Sequence, residues 1–176
     1  MTATETLVET GPVRVTRDTP AARFSLRARG DVAALGSALG GTLPDRIGAR
    51  STGDGWEALR LGPDEWVIVA TAEAGQGLPD RLSDVDQPHA LVDISCREVT
   101  FVLDGPGAEE LLTLGCPRDL RGLPEGEGRR TVFDGASAVL WRDGADRFRL
   151  DCWRSFSPHV AALLVTGARE IAAGVV

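Results

Sequence analysis

Apolar residues first fall into register at 23–27, where Phe24 and Leu26 alternate with Arg23, Ser25 and Arg27. That is the period of a strand with one buried face. Residues 1–18 show no helical period and are expected to form a flexible tail or an edge strand, with folded structure beginning near Arg23. Asp31 is placed to cap a helix with Val32, Leu35 and Leu39 on its apolar side. Gly40-Gly41 should end it, because glycine takes the left-handed C-cap conformation without strain. Residues 47–55 read as loop; 56–61 and 65–70 read as strands joined by a Gly62-Pro63-Asp64 turn, with Trp66 and Ile68 facing the core. Through Leu82, Gly75, Gly77 and Pro79 predict a broken helix or a loop.

After Pro88 the pattern restarts. Strands are expected at 90–94 and 98–103, then a helix opened by Gly105-Pro106, carrying Leu111, Leu112 and Leu114, and stopped by Gly115 and Pro117. Residues 118–128 read as loop. Three strands follow, at 130–133, 136–141 and 147–152, divided by the turns Asp134-Gly135 and Asp143-Gly144. Ser157-Pro158 begins a last helix with an apolar stripe of Val160, Leu163, Leu164, Ala168 and Ile171. The halves look alike: Phe24-x-Leu26, helix and Gly40 correspond to Phe101-x-Leu103, helix and Gly115. The expected fold is α+β with a mixed sheet, a duplication of ferredoxin-like β-α-β-β-α units, the second with one extra strand. The organisation read from this is a tail at 1–18, a first repeat at 19–86 and a second at 87–176, within one compact domain overall.

Composition narrows the function. The 176 residues carry a formal charge of -7, which argues against non-specific nucleic-acid binding. All 19 basic residues are Arg; the absence of Lys, Asn and Tyr reads as a high-GC genome. No apolar run approaches the roughly 20 residues that cross a bilayer, and the N-terminus lacks a signal-peptide pattern, so a cytoplasmic location is expected. Cys96, Cys116 and Cys152 are odd in number and widely spaced, which signals neither a zinc site nor a disulfide framework.

Few residues suggest chemistry. Gly105-Pro106-Gly107 sits at a helix start but lacks the rest of a phosphate-binding motif. His89 with Cys96 could pair as base and nucleophile, though proximity in sequence is their sole support. Glu109 and Glu110 are adjacent on a helix and do not share a face. Trp153, Arg154 and Phe156 are the candidate interface residues, since Trp and Arg are enriched at binding hot spots. The alternative is that both aromatics fill the seam between the last strand and last helix. No catalytic, cofactor-binding or metal residue is assigned, and the chain reads as a binding module.

Four stretches carry a resemblance: Leu61-Gly62-Pro63-Asp64-Glu65-Trp66, Val92-Asp93-Ile94-Ser95 leading to Arg97, Leu114-Gly115-Cys116-Pro117-Arg118-Asp119-Leu120, and Trp153-Arg154-Ser155-Phe156. In this order they resemble the gamma subunit of heterotetrameric sarcosine oxidase, from about Thr19 to the C-terminus. The resemblance implies a non-catalytic subunit with a structural or assembly role, partnered by alpha, beta and delta subunits. It implies a complex that oxidises sarcosine to glycine and hydrogen peroxide, passing the methyl carbon to tetrahydrofolate as 5,10-methylenetetrahydrofolate. FAD, FMN, NAD and zinc would lie on the partner subunits and no cofactor on this chain. The implied fold is similar to the folate-binding domain of the glycine cleavage T-protein. A different reading is a free-standing folate-binding protein or one-carbon enzyme, for which Arg97, Arg129, Arg130 and Arg154 are available.

Overall fold

The computed structural model describes residues 4–18 and 22–175. In chain order the elements are β1 (Glu5–Glu9), β2 (Arg14–Asp18), β3 (Ala22–Ala28), α1 (Ala33–Leu39), β4 (Arg50–Gly53), β5 (Trp56–Gly62), β6 (Glu65–Ala70), α2 (Ala72–Ser83) and β7 (His89–Asp93). There follow β8 (Glu98–Asp104), α3 (Ala108–Thr113), a 3-10 turn (Leu120–Gly122), β9 (Gly128–Phe133), β10 (Ala136–Arg142), β11 (Arg147–Trp153) and α4 (Ser157–Ala172). They sort into two compact units, one holding β3 to β7 and the other holding β1, β2 and everything from β8 onward.

In the first unit the sheet order is β4-β5-β6-β3-β7, and each pairing is antiparallel. Strand alternation sends Phe24, Leu26, Ala58, Trp66 and Ile68 to one face, where Leu35 and Leu39 of α1 and Leu78 and Leu82 of α2 complete a core. The two buried indoles keep their N–H groups satisfied: Trp56 donates to the Leu39 carbonyl and Trp66 to the Pro44 carbonyl, both at 2.9 Å. The opposite face is not simply solvated. Arg23, expected on a wet face, is 2% exposed, and Leu59 and Val67 beside it are buried too.

The second unit has the order β1-β2-β8-β11-β10-β9, again antiparallel throughout. Phe101, Leu103, Phe148 and Leu150 meet Leu111 and Leu112 of α3 and Val160 and Leu164 of α4. Gly105 and Gly107 let the chain approach the turn between β1 and β2. A Cβ on Gly105 would lie 2.6 Å from the Pro12 carbonyl oxygen, and the Gly107 amide donates to that oxygen at 2.9 Å. These glycines therefore serve backbone packing at a helix only six residues long.

The duplication is present, but its unit differs from the expected one. Both halves run strand, helix, three-strand meander, helix: β3-α1-β4-β5-β6-α2 and β8-α3-β9-β10-β11-α4. The first strand lies beside the last strand of its meander in each sheet. This replaces the expected mixed, ferredoxin-like β-α-β-β-α arrangement with an antiparallel unit of four strands. β4, read as loop, is polar and short, so its existence rests on pairing with β5 and leaves no apolar alternation to detect. A matching arginine marks both halves. Arg60 at the end of β5 binds the carbonyls of Gly62 and Pro63 and stacks 4.9 Å from the Trp66 ring. Arg142 at the end of β10 binds the carbonyls of Gly144 and Ala145 and stacks 5.2 Å from Phe148. Each also reaches the segment after the preceding helix, at Asp45 in one case and at Leu120 and Leu123 in the other.

Each sheet is extended by a segment from across the chain. β2 precedes β3 in sequence but pairs with β8, and β7 precedes β8 but pairs with β3. Residues 5–18, expected as a tail or an edge strand, form two strands of the second sheet with β1 at its edge, and the expected boundary at 86/87 falls before a strand of the first. α2 also differs: it is one continuous 12-residue helix capped by Thr71, whose hydroxyl accepts from the Ala74 amide at 3.2 Å. Gly75, read as a breaker, gives close approach; a Cβ there would sit 2.4 Å from the Ala22 Cβ. Pro79 sacrifices one helical hydrogen bond, and the burial of Leu78 and Leu82 outweighs it.

Candidate functional site

β11 places its last residue, Trp153, at the sheet end, and a tight turn hands the chain to α4. The Phe156 amide donates to the Trp153 carbonyl at 2.9 Å, and the Ser157 amide and hydroxyl donate to the Arg154 carbonyl at 3.2 and 2.9 Å. Arg154 is pinned to the approach to β8. Its amide donates to the Arg97 carbonyl at 2.8 Å and its Nε to the Cys96 carbonyl at 2.9 Å. Trp153 and Phe156 are thereby held side by side, ring centroids 6.3 Å apart and planes at 34°. They are 47% and 42% exposed, so they do not fill the seam beneath α4. Keeping two large aromatic rings in water forgoes the roughly 1.5–3 kcal/mol that burying each would contribute.

The other residues singled out from sequence have local duties. His89 Nδ1 lies 2.7 Å from the Gln87 carbonyl. The second histidine of the chain, His159, has its Nε2 2.9 Å from the exposed Asp134 carboxylate. Cys116 and Cys152 are buried, whereas Cys96 is exposed. Glu109 reaches Arg142 at 3.5 Å. The four arginines available for a folate do not converge on one pocket. Arg129 and Arg130 are consecutive on β9 and so point to opposite faces. Arg129 is tied to Glu127 at 2.8 Å and Arg97 to Glu98 at 2.9 Å. Among the described residues, no three His, Cys, Asp or Glu side chains are grouped to hold a metal ion. No helix among them is long and apolar enough to cross a membrane.

One polar cluster escaped the sequence reading. On the face of the second sheet away from its helices, the Asp151 carboxylate, 3% exposed, accepts from the Thr100 hydroxyl at 2.6 Å and the Trp141 indole at 2.7 Å. Arg149 lies 4.6 Å over the Trp141 ring and binds both oxygens of Asp143, at 2.7 and 3.0 Å. The signal was there: Arg149, Asp151 and Trp153 alternate with the core residues Phe148, Leu150 and Cys152. These contacts tie β8, β10 and β11 together, which suits them to fixing strand register. Two carboxylates are held below the usual range. Asp93 is stabilised by the Ser95 hydroxyl and then the Ser95 amide, and Asp119 by the side chain and amide of Arg121. The first closes the turn after β7, because Ser95 Oγ also accepts from the Arg23 amide at 2.9 Å.

No protein-family model matches the chain. The sarcosine oxidase gamma subunit of Corynebacterium sp. (strain U-96) is 33% identical over 147 residues, which span 80% of this chain and 70% of that one. The gamma subunit from Arthrobacter sp is 32% identical over 145 residues, with coverages of 80% and 70%. Among solved structures, a chain of heterotetrameric sarcosine oxidase from Corynebacterium sp. U-96, in complex with pyrrole 2-carboxylate, has a TM-score of 0.79 at 28% identity. The match covers 90% of this chain and 86% of that one. The glycine cleavage system aminomethyltransferase T from Bartonella henselae gives 0.63 at 17% identity, over 82% of this chain and 43% of that one, a likeness of fold alone.

Proposed function

Because the chain belongs to the family of sarcosine oxidase gamma subunits, we propose that it is a non-catalytic subunit that helps to assemble a heterotetrameric, sarcosine-oxidising complex. The observation that carries this reading is the agreement of sequence and fold over most of both chains. The reaction proposed for the complex is oxidation of sarcosine to glycine with reduction of dioxygen to hydrogen peroxide, tetrahydrofolate taking the methyl carbon as 5,10-methylenetetrahydrofolate. FAD, FMN, NAD and zinc would be held by alpha, beta and delta subunits, and the complex would work in the cytoplasm. This chain's part is docking, for which the exposed Trp153 and Phe156, with Arg154 between them, are suited.

The likeness to aminomethyltransferase T invites a second reading, a free-standing folate-binding protein. The residues do not fit it well, since Arg129 and Arg130 face opposite ways and Arg97 and Arg129 are already paired with carboxylates. No folate step is assigned to this chain. Tagging the chain in its native host and purifying it tests both readings. A yellow complex of four different chains that consumes sarcosine and releases peroxide is the expected result. A colourless single protein whose melting temperature rises with tetrahydrofolate would overturn the subunit reading, because a ligand that binds only the native state must stabilise it.

A further inference from the structure

Trp153 belongs to a longer surface. Register places Cys152 opposite Ala138 and Ser137 opposite Val132, so Val132, Ser137 and Trp153 form one cross-strand row over β9, β10 and β11. Their neighbours Phe133, Ala136, Ala138 and Cys152 all point into the core, which puts the row on the sheet's other face. With strands about 5 Å apart the row is about 10 Å long, and the Phe156 ring lies beside its Trp153 end. Val132 is 38% exposed, completing an apolar strip with the two half-exposed aromatics.

The acids bordering this strip are already paired within the chain: Glu98, opposite Trp153 in the register, with Arg97, and Asp119, in the cleft at the β9 end, with Arg121. Arg154 stands between the aromatics, and Arg118 lines an open cleft with Val132 at the β9 end. Neither has a carboxylate within ion-pair distance among the described residues, although the chain carries a net charge of -7. Elsewhere Arg14, Arg27, Arg50, Arg121, Arg147 and Arg149 are all matched to acids. Arginines left unmatched beside exposed aromatics await acids from outside the chain, and bidentate pairing with carboxylates is what a guanidinium does best. The apolar groove lined by Leu114, Phe133 and Leu163 contrasts with it, being bordered by Asp134 and Glu170.

We infer that the Val132–Trp153–Phe156 strip is where this chain meets another subunit of its complex, and that the partner's face is apolar at its centre and bordered by carboxylates. The inference rests on the subunit reading above. Its test uses the full chain alone and the complex obtained by co-expressing it with the other subunits. Hydroxyl-radical footprinting should show Trp153 and Phe156 oxidised in the free chain and several-fold protected in the complex. Trp153→Asp should weaken incorporation by about 30-fold, the loss typical of a hot-spot aromatic, with an unchanged urea midpoint to show that the fold persists. Arg154→Glu should weaken it too, and the wild-type affinity should fall as salt rises. Ile47→Asp, at an exposed residue of the other unit, should do neither. A complex that forms with Trp153 and Phe156 as oxidisable as in the free chain overturns this surface and leaves the subunit reading standing. If no complex forms at all, both fall. Protection in the free chain that grows with its concentration indicates a second copy and overturns the acidic partner.

Discussion

Replacing Gly75 by alanine sets helix propensity against packing. Inside α2, alanine is better than glycine by about 1 kcal/mol, so a local argument expects a more stable protein. The added Cβ, however, would lie 2.4 Å from the Ala22 Cβ on β3, with Phe24 Cε2 at 3.6 Å and Ala70 Cβ at 3.8 Å. Both carbons at the short contact are fixed to backbone, so no rotamer change relieves it. α2 must move by about 1 Å from the sheet, lifting Leu78 and Leu82 out of their buried positions. A contact this short between two fixed carbons belongs to the upper part of the overpacking range, about 2–3 kcal/mol, which exceeds the propensity gain. The expected net loss is about 1–2 kcal/mol. In urea unfolding followed by far-UV circular dichroism, that is a midpoint lower by about 0.5–1 M at an unchanged slope. Ala22→Gly removes the opposing methyl, so the double variant Ala22→Gly/Gly75→Ala should regain most of the stability lost by Gly75→Ala. A Gly75→Ala midpoint at or above the wild type would refute the reasoning, as would a double variant that shows no coupling.

Arg142→Met strips hydrogen bonds from the carbonyls of Leu120, Leu123, Gly144 and Ala145, and should lower the urea midpoint by the equivalent of about 2–3 kcal/mol; Arg142→Lys should recover little, because an ammonium lacks the planar fork. Gly105→Ala places a side chain at φ 120° and 2.6 Å from the Pro12 carbonyl oxygen, so it should cost about 2 kcal/mol or more and speed hydrogen exchange in β1 and β2. Asp93, held below its ordinary pKa of 3.8 by Ser95, contributes stability that is present above the unfolded-state value and fades as pH falls through the folded one. The urea midpoint of Asp93→Asn should therefore trail the wild type at pH 7 and converge with it as pH falls below 3.8; a gap that stays constant would exclude the charge as the cause.

Trp153, Arg154 and Phe156 show how far the candidate site was legible. Their types and adjacency were visible, but two aromatics after a strand can fill a seam as readily as face a partner. The turn that pins Arg154 to the Cys96 and Arg97 carbonyls keeps both rings out of the seam and exposed, and those acceptors are 58 and 57 residues away in sequence. Val132 and Arg118 were not legible as part of that surface, since cross-strand register puts Val132 in the row of Trp153 and the loop before β9 brings Arg118 to the cleft beside Val132. The Asp151 cluster was missed for a similar reason. A single Asp in an alternating strand looks solvated until Thr100 and Trp141 converge on it.

By itself the sequence determined the elements whose signal is local. β3, β5, β6 and β8 to β11 carry period-two alternation, α4 carries a 3.6-residue stripe, and Gly40 stops α1 with φ 82°. It also determined the duplication, because both halves repeat the same order of apolar runs and turns. Tertiary structure alone decided which strands are neighbours. β4 and β1 are edge strands held by backbone pairing, which polar residues make as well as apolar ones. β2 and β7 lie beside β8 and β3, strands distant in sequence or folded back upon, because a sheet edge is completed by whichever segment reaches it. Gly75 and Pro79 break a helix in isolation yet sit inside one here, since contact with Ala22 and the burial of Leu78 and Leu82 are rewards that no short window of sequence contains.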